Sequence, residues 1–559
     1  MQPHSLVVAL PALLLCGLRA AEAPKLVEIL GAELNRNFES LKTKADPPAY
    51  YLAYTVTDDE VVSMEATSGL LAAKDKRHSR ILDVTLRLGT PKLDNYHRQP
   101  RDFAQFTRGS GVSLDDNGNA LRRRIWLDTD AVYRAASQRL TNIKTNTQVK
   151  VEETDRSDDF SNADAAVDFQ KIPELKYDEK KWAGHLRDWS KKISAHGDIL
   201  ASQVSFQAQR EIKTFVNSEG TRLQHGRTFA RVVISARSKA FDGMDLATAE
   251  TIEADEPGRL PSEKKIDAAV DKVIADLRGL LKAQEVDPFV GPAILSGRAA
   301  GVFFHEIFGH RIEGHRQKDE SEGQTFTKRV NQSVLPDFLS VYFDPTIKRY
   351  ADEDLYGWYS YDDEGVKGRR VSVVEKGILK TFLLSRSPIA GFPNSNGHGR
   401  RQAGHEIVAR QSNLIVHSDK QVSTPKLREL LIEEIKKQNK PYGLYFESVT
   451  GGFTTTGRQG LQAFTVIPLV VYKVFADGRP DELIRGADIV GTPLASFAKI
   501  AATSDRAEVF NGYCGAESGS VPVSAASPAL LVSEIEIQRK NRSQERPPLL
   551  PRPRSEGGL

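Results

Sequence analysis

His305-Glu306-Ile307-Phe308-Gly309-His310 sets two imidazoles around a carboxylate. Neutral imidazole nitrogens hold a zinc ion, and a glutamate beside the first of them can take a proton from metal-bound water, so the string carries the parts of a zinc hydrolase. The histidines are five positions apart rather than four. At 3.6 residues per turn the second ring falls about 140° around a regular helix from the first, so both reach one ion only if the helix departs from regularity. A one-turn widening is the expected device, with Gly309 as the residue that permits it. Two surface histidines on an ordinary amphipathic helix would give the same string, so the surrounding elements must decide.

Pro292-Ala293-Ile294-Leu295 reads as a short strand and Ser296 as the N-cap of a helix opening at Gly297, which puts the string two to three turns inside that helix. Val302, Phe303, Ile307 and Phe308 would shield a metal from water. Glu313 and His315 lie close enough to supply a third ligand. Cysteine use offers another. Cys16 sits in the apolar start of the chain, which leaves Cys514, within Asn511-Gly512-Tyr513-Cys514-Gly515. A lone thiol in an oxidising compartment is a liability unless it is buried or occupied, and zinc occupies it as the thiolate. A buried cysteine acting as a small hydrophobe is the alternative. The glycines around Cys514 predict a tight loop rather than a packed strand. A second pair, His405-Glu406, has its next histidine only at His417 and lacks metal-ligand spacing.

These residues resemble the TldD/PmbA family of metalloproteases, also called modulators of DNA gyrase. The resemblance rests on four motifs in order over roughly 290–538: the His-Glu-x-x-x-His string followed by Glu313-Gly314, the segment Asp363-Glu364-Gly365 leading into Arg369-Arg370, Arg410-Gln411-Ser412-Asn413, and Cys514-Gly515 followed by Ser527-Pro528. Val216-Asn217-Ser218-Glu219-Gly220 is similar to a turn that precedes the second half in that family. The resemblance implies zinc (Zn2+) held by His305, His310 and Cys514, with Glu306 as general base. His315 departs from the acidic residue usual after Glu-Gly.

Residues 1–23 read as a secretory signal: Leu6 to Leu15 is apolar, too short to span a bilayer, and ends near Ala21-Glu22-Ala23. Cleavage is expected after Ala23, or after Ala20 or Ala21 because Pro24 is a poor residue to follow a cut. The protein is therefore expected to be exported, periplasmic or secreted, without an integral membrane segment once processed, which sets DNA gyrase aside as a partner. With 77 basic and 74 acidic residues the net charge is +3, no footprint for nucleic acid. Residues 541–559, basic and rich in proline, read as a disordered tail.

A mature chain of about 535 residues predicts two or three domains. Helical periodicity is expected over 26–41, 128–142, 178–194, 261–283 and 424–437, and strands over 50–56, 81–88, 371–374, 378–384 and 464–474. Residues 150–170 read as loop, and 199–240 as an antiparallel meander turning at Asn217-Ser218-Glu219-Gly220. Runs of strands with helices set apart give an α+β fold: a mixed α+β region over 24–288 for substrate and dimerisation, then a β-rich metallopeptidase domain over 289–540. The expected function is hydrolysis of short or unfolded peptides, with a homodimer or a heterodimer with a related subunit enclosing the site. A non-catalytic peptide-binding subunit of such a dimer is the alternative. A serine hydrolase is discounted because no Gly-x-Ser-x-Gly elbow occurs.

Overall fold

Leu26, Ile29, Leu30 and Leu34 recur at helical spacing and form the buried stripe of the first helix, Lys25–Thr43. This computed structural model describes residues 23–99, 104–147, 155–458, 464–491, 496–540, 548 and 550. The expected signal and most of the expected tail lie outside the described residues.

The first half is built on an eight-stranded sheet whose long members are Ala49–Thr67, Leu70–Thr90, Ala201–Asn217, Arg222–Lys239 and Asp245–Ala254, all antiparallel to their neighbours in this set. Side chains alternate between its faces. One face carries Leu52, Tyr54, Val56, Leu82, Val84 and Leu86 under helices Lys25–Thr43 and Gly118–Thr147. Farther along, the same face carries Val204, Phe206, Val232 and Ile234 under helices Glu179–Ser194 and Glu263–Lys282. The opposite face, polar apart from a buried cluster of Tyr51, Ala53, Phe215 and Leu223, meets the second half. There Thr55 accepts from Arg401 at 2.9 Å, Asp83 accepts from the Gly404 amide at 3.0 Å, Lys213 donates to Asp363 at 2.5 Å, and Arg227 donates to the Tyr356 carbonyl at 3.0 Å.

The second half is a thirteen-stranded mixed sheet organised on Gly519–Arg539. That strand pairs with Ile500–Ala516 as a hairpin, with Phe289–Leu295 and Ala487–Gly491 antiparallel, and with Asn413–Ser418 parallel. Helix Gly297–Ile307 follows Phe289–Leu295 directly, and Ser296 caps it by accepting from the Ala299 amide at 3.2 Å. The fold is α+β with a β-rich second half. Two strand expectations are revised: Ile378–Leu379 replaces 378–384, and the first hairpin runs far beyond 50–56 and 81–88. Within 150–170 a short strand, Val167–Phe169, is also present.

Candidate metal centre

Gly297, Gly301 and His305 are spaced four apart and so share one face of their helix. A Cβ at Gly297 would stand 2.5 Å from the Ser527 carbonyl oxygen, and one at Gly301 would stand 2.7 Å from that of Ala525. The glycines thus let the helix lie on the backbone of Gly519–Arg539, and the next residue on that face, His305, points toward the hairpin bearing Cys514. The opposite flank is held by packing of Phe303, Phe304, Ile307 and Phe308 into the main core, with Phe326 and Phe497 among their ring partners.

The five-residue spacing is resolved differently from the expected widening. The α-helix ends at Ile307, and Gly309–Ile312 continues as a tighter 3-10 turn, so His305 lies about two turns into the helix, as expected, while His310 lies beyond its end. The regular helix breaks at Phe308, and in the turn beyond the break His310 faces His305, their rings meeting edge to face with centroids 5.1 Å apart. Gly309 is needed for space: a Cβ there would overlap the Gln411 carboxamide. Arg311 closes the broken helix end, donating to the carbonyls of Glu306 and Ile307 at 3.1 and 3.2 Å and to Thr454 Oγ1 at 2.7 Å.

Cys514 lies on the strand Ile500–Ala516, opposite Val521 and just before the hairpin turn, not in a loop. Although 204 residues separate them in the chain, its Sγ stands 3.3 Å from His310 Nε2. The donor atoms of His305, His310 and Cys514 all lie within 4.8 Å of one another, and all three residues are buried. Tetrahedral zinc at 2.0–2.3 Å from its ligands requires donor separations of roughly 3.3–3.8 Å, so the set fits after small side-chain adjustments. A His2Cys donor set also suits zinc chemically.

Glu313 and His315 take other roles. Glu313, fully buried, places Oε2 at 3.3 Å from His310 Nδ1 and receives Arg316 Nε at 2.9 Å. It therefore fixes the His310 tautomer that frees Nε2 for a metal. His315 is bonded to Glu517, which also receives Arg316 at 3.0 Å. Charges are strongly organised here. Against the cost of burial, Cys514 and Glu313 raise the His310 pKa to about 10. Also against burial, His310, His305 and Arg410 hold the Cys514 thiol well below its ordinary value, and His310 with Arg316 lowers Glu313 to about 2. These charges favour the thiolate form of Cys514, the form that ligates zinc.

Glu306 Oε2 is 4.0 Å from His310 Nε2. Above His305 and Glu306 opens a cavity of about 650 Å³, lined in part by Val449, Gly452, Phe510 and Tyr513. Its volume suits a peptide segment. The His405-Glu406 pair is structural, since Glu406 accepts from the amides of Phe106 and Thr107 at 2.7 and 2.9 Å and from the Tyr96 hydroxyl at 3.0 Å. Two other motifs meet at Arg386: Glu219 binds its guanidinium through both oxygens at 2.6 and 2.7 Å and so joins the halves of the molecule, and within the second half Glu364 receives its amide at 2.5 Å. Sequence reasoning missed Arg311, Arg316 and Glu517. Their signal was only a density of charge in an otherwise apolar neighbourhood.

Known proteins resemble this chain in sequence chiefly over its second half. Residues 290–539 match the sequence profile of the PmbA/TldA metallopeptidase C-terminal domain. A metalloprotease of Methanocaldococcus jannaschii is 30% identical over 246 residues, 44% of this chain and 50% of that protein. A zinc metalloprotease TldD homolog of Saccharolobus solfataricus is 26% identical over 249 residues, again 44% of this chain and 51% of that protein. The alignments thus span about half the length of these relatives. Among solved structures, TldE of Thermococcus kodakarensis superposes with a TM-score of 0.58 at 12% identity, covering 91% of this chain and all of that one, which is a likeness of fold. No helix among the described residues is long and apolar enough to cross a membrane. Residues 290–539 are accordingly a PmbA/TldD-family metallopeptidase C-terminal domain.

Proposed function

We propose that this chain is a zinc-dependent peptidase acting on short or unfolded peptides, with His305, His310 and Cys514 as metal ligands and Glu306 as general base. The observation that carries the reading is the convergence of two imidazoles and one thiol from segments 204 residues apart, with a carboxylate beside them at the base of a cavity. Zinc there would supply Lewis acidity, polarising a peptide carbonyl and lowering the pKa of water. The chain's own residues do the rest. Glu306 takes the proton of the attacking water and returns it to the leaving amine, and Glu313 keeps Nδ1 of His310 occupied so that Nε2 faces inward. Apolar packing behind the helix keeps bulk water from the ligands. The name of the Saccharolobus relative supports zinc. A dimer, with itself or with a related subunit, is carried over from the family resemblance.

A non-catalytic peptide-binding subunit would need the cavity but not a base beside the donors, and the presence of Glu306 there favours the enzyme. Glu306→Gln decides between them: zinc content and fold should be retained while turnover of a quenched-fluorescence peptide falls at least about 100-fold. Wild-type turnover in that variant would remove the base from the mechanism, and no turnover in the wild-type protein on a varied peptide library would favour the binding subunit.

A further inference from the structure

Every element bearing a donor meets one short segment that the chemistry above does not use. Arg410 and Gln411 immediately precede strand Asn413–Ser418, and both are fully buried. The Arg410 guanidinium faces two ways. Nη1 donates to Ser518 Oγ at 2.8 Å and to the Gly519 carbonyl at 2.9 Å, and Nη2 donates to the carbonyl of Cys514 itself at 2.5 Å, so three acceptors of the hairpin turn are gathered by one planar group. On its other side Nε stands 3.4 Å from Oε1 of Glu313, the carboxylate whose second oxygen holds His310. Gln411 completes the span: its Nε2 donates to the His305 carbonyl at 3.3 Å, and its carboxamide packs where a side chain at position 309 would be.

We propose that Arg410 is the positioning residue of the metal centre, a rigid fork that fixes the Cys514 hairpin and the Glu313 carboxylate relative to one another, with Gln411 holding the His305 backbone from the same segment. The requirement arises from the fold. The hairpin turn near Cys514 is held by its ladder to Gly519–Arg539 and, at its tip, by Glu517 to His315 and Arg316, whereas His310 lies on an irregular turn beyond the end of its helix. Neither element fixes the sulfur-to-imidazole separation by itself. A guanidinium hydrogen-bonded to the hairpin and ion-paired with Glu313 does, and because its five donors lie in one plane the separation is set by covalent geometry. Lysine, with a single rotatable ammonium, cannot reach the carbonyls of the turn and Glu313 in one arrangement.

The inference rests on the ligand set proposed above, and the test separates the two. Zinc affinity of reduced protein is measured by chelator competition, and the cobalt-substituted protein is examined for its thiolate-to-metal charge-transfer band. Wild-type protein that binds no zinc would overturn the ligand set. With wild-type binding established, Arg410→Lys should weaken zinc about 10- to 100-fold, as loss of an outer-shell partner does, and should shift or weaken the cobalt–thiolate band, while the metal-free variant keeps its far-ultraviolet circular dichroism. An unchanged affinity and band in folded Arg410→Lys would overturn the proposal, as would an equal loss of stability with and without metal, which marks a merely structural arginine. If Arg410→Lys does not fold, Ser518→Ala deletes one acceptor of the fork and should still weaken zinc several-fold. Unaltered affinity there overturns the proposal as well.

Discussion

Gly301→Ala tests how the metal helix is seated, because local propensity and tertiary packing predict opposite signs. In an unconstrained helix interior the change stabilises by about 1 kcal/mol. Here the new Cβ would stand 2.7 Å from the Ala525 carbonyl oxygen and 3.2 Å from its carbonyl carbon, both backbone atoms of the central strand. An ordinary carbon–oxygen contact is about 3.3 Å or more, so helix or strand must yield by roughly 0.6 Å. Overpacking of this kind costs ~1–3 kcal/mol, which leaves a net loss of about 1 kcal/mol after the propensity gain. His305 is one turn farther on the same face and moves with the helix. Since a misplacement of about 1 Å costs roughly 100-fold in rate, a 0.6 Å shift should cost on the order of 10-fold. The assay pairs urea denaturation with peptide turnover and uses Gly184→Ala as control. In helix Glu179–Ser194 no described atom lies within 4 Å of the Cβ that Gly184 would gain, so that variant should be stabilised. Were Gly301→Ala stabilised like the control, with unchanged turnover, the helix would not be resting on the strand backbone and the positioning argument would be wrong.

Three further outcomes are expected. Chelation should destabilise the protein, because zinc joins helix Gly297–Ile307 to the terminal hairpin; at free zinc 100-fold above Kd the loss is about 2.7 kcal/mol, and an unaltered denaturation midpoint would contradict it. Mild acid should also destabilise the metal-free protein. Burial pushes His225 down to about 4 and His398 down to about 3, against an unfolded value near 6.5. The unfolded chain therefore binds protons that the folded one refuses, so stability is full above about pH 6.5 and falls between there and pH 4, by ~3 kcal/mol from His225 alone. A flat midpoint across that window would show the imidazoles to be exposed. Export predicts that protein from its native host begins between Ala21 and Pro24 on N-terminal sequencing, and an intact Met1 in the cytosol would refute it.

What could be read from the sequence was chemistry and strong periodicity. Ser296 was legible as a cap because a hydroxyl stood before an apolar helix, and Thr424–Lys437 was legible because Leu427, Leu431 and Ile435 mark one buried stripe. The long first hairpin was not. From Ala72 to Ala73 and on through Lys74-Asp75-Lys76-Arg77-His78 its side chains are exposed, so no alternation betrays the strand. Gly118–Thr147 was recognised only in its middle, since Arg122-Arg123-Arg124 hides the apolar stripe of its first turns. At the site, residue types were legible and geometry was not. A spacing of five demanded an irregular helix without saying whether it widens or tightens, and the choice depends on Gln411, a hundred residues away. Glycines beside Cys514 suggested a loop, yet they sit on a strand whose register is set by Gly519–Arg539. The part played by Glu313 depends likewise on Arg316 and Arg410, which no local pattern links to it.

The central claim is that one ion is held jointly by His305, His310 and Cys514. Anomalous diffraction at the zinc absorption edge from crystals of the reduced, metal-loaded protein tests it most directly. The account predicts one strong peak per chain, ~2.0–2.1 Å from a nitrogen of each histidine and ~2.3 Å from Cys514 Sγ. A peak at another cluster, or a fully occupied peak at the histidines with the sulfur turned away from it, would contradict the account.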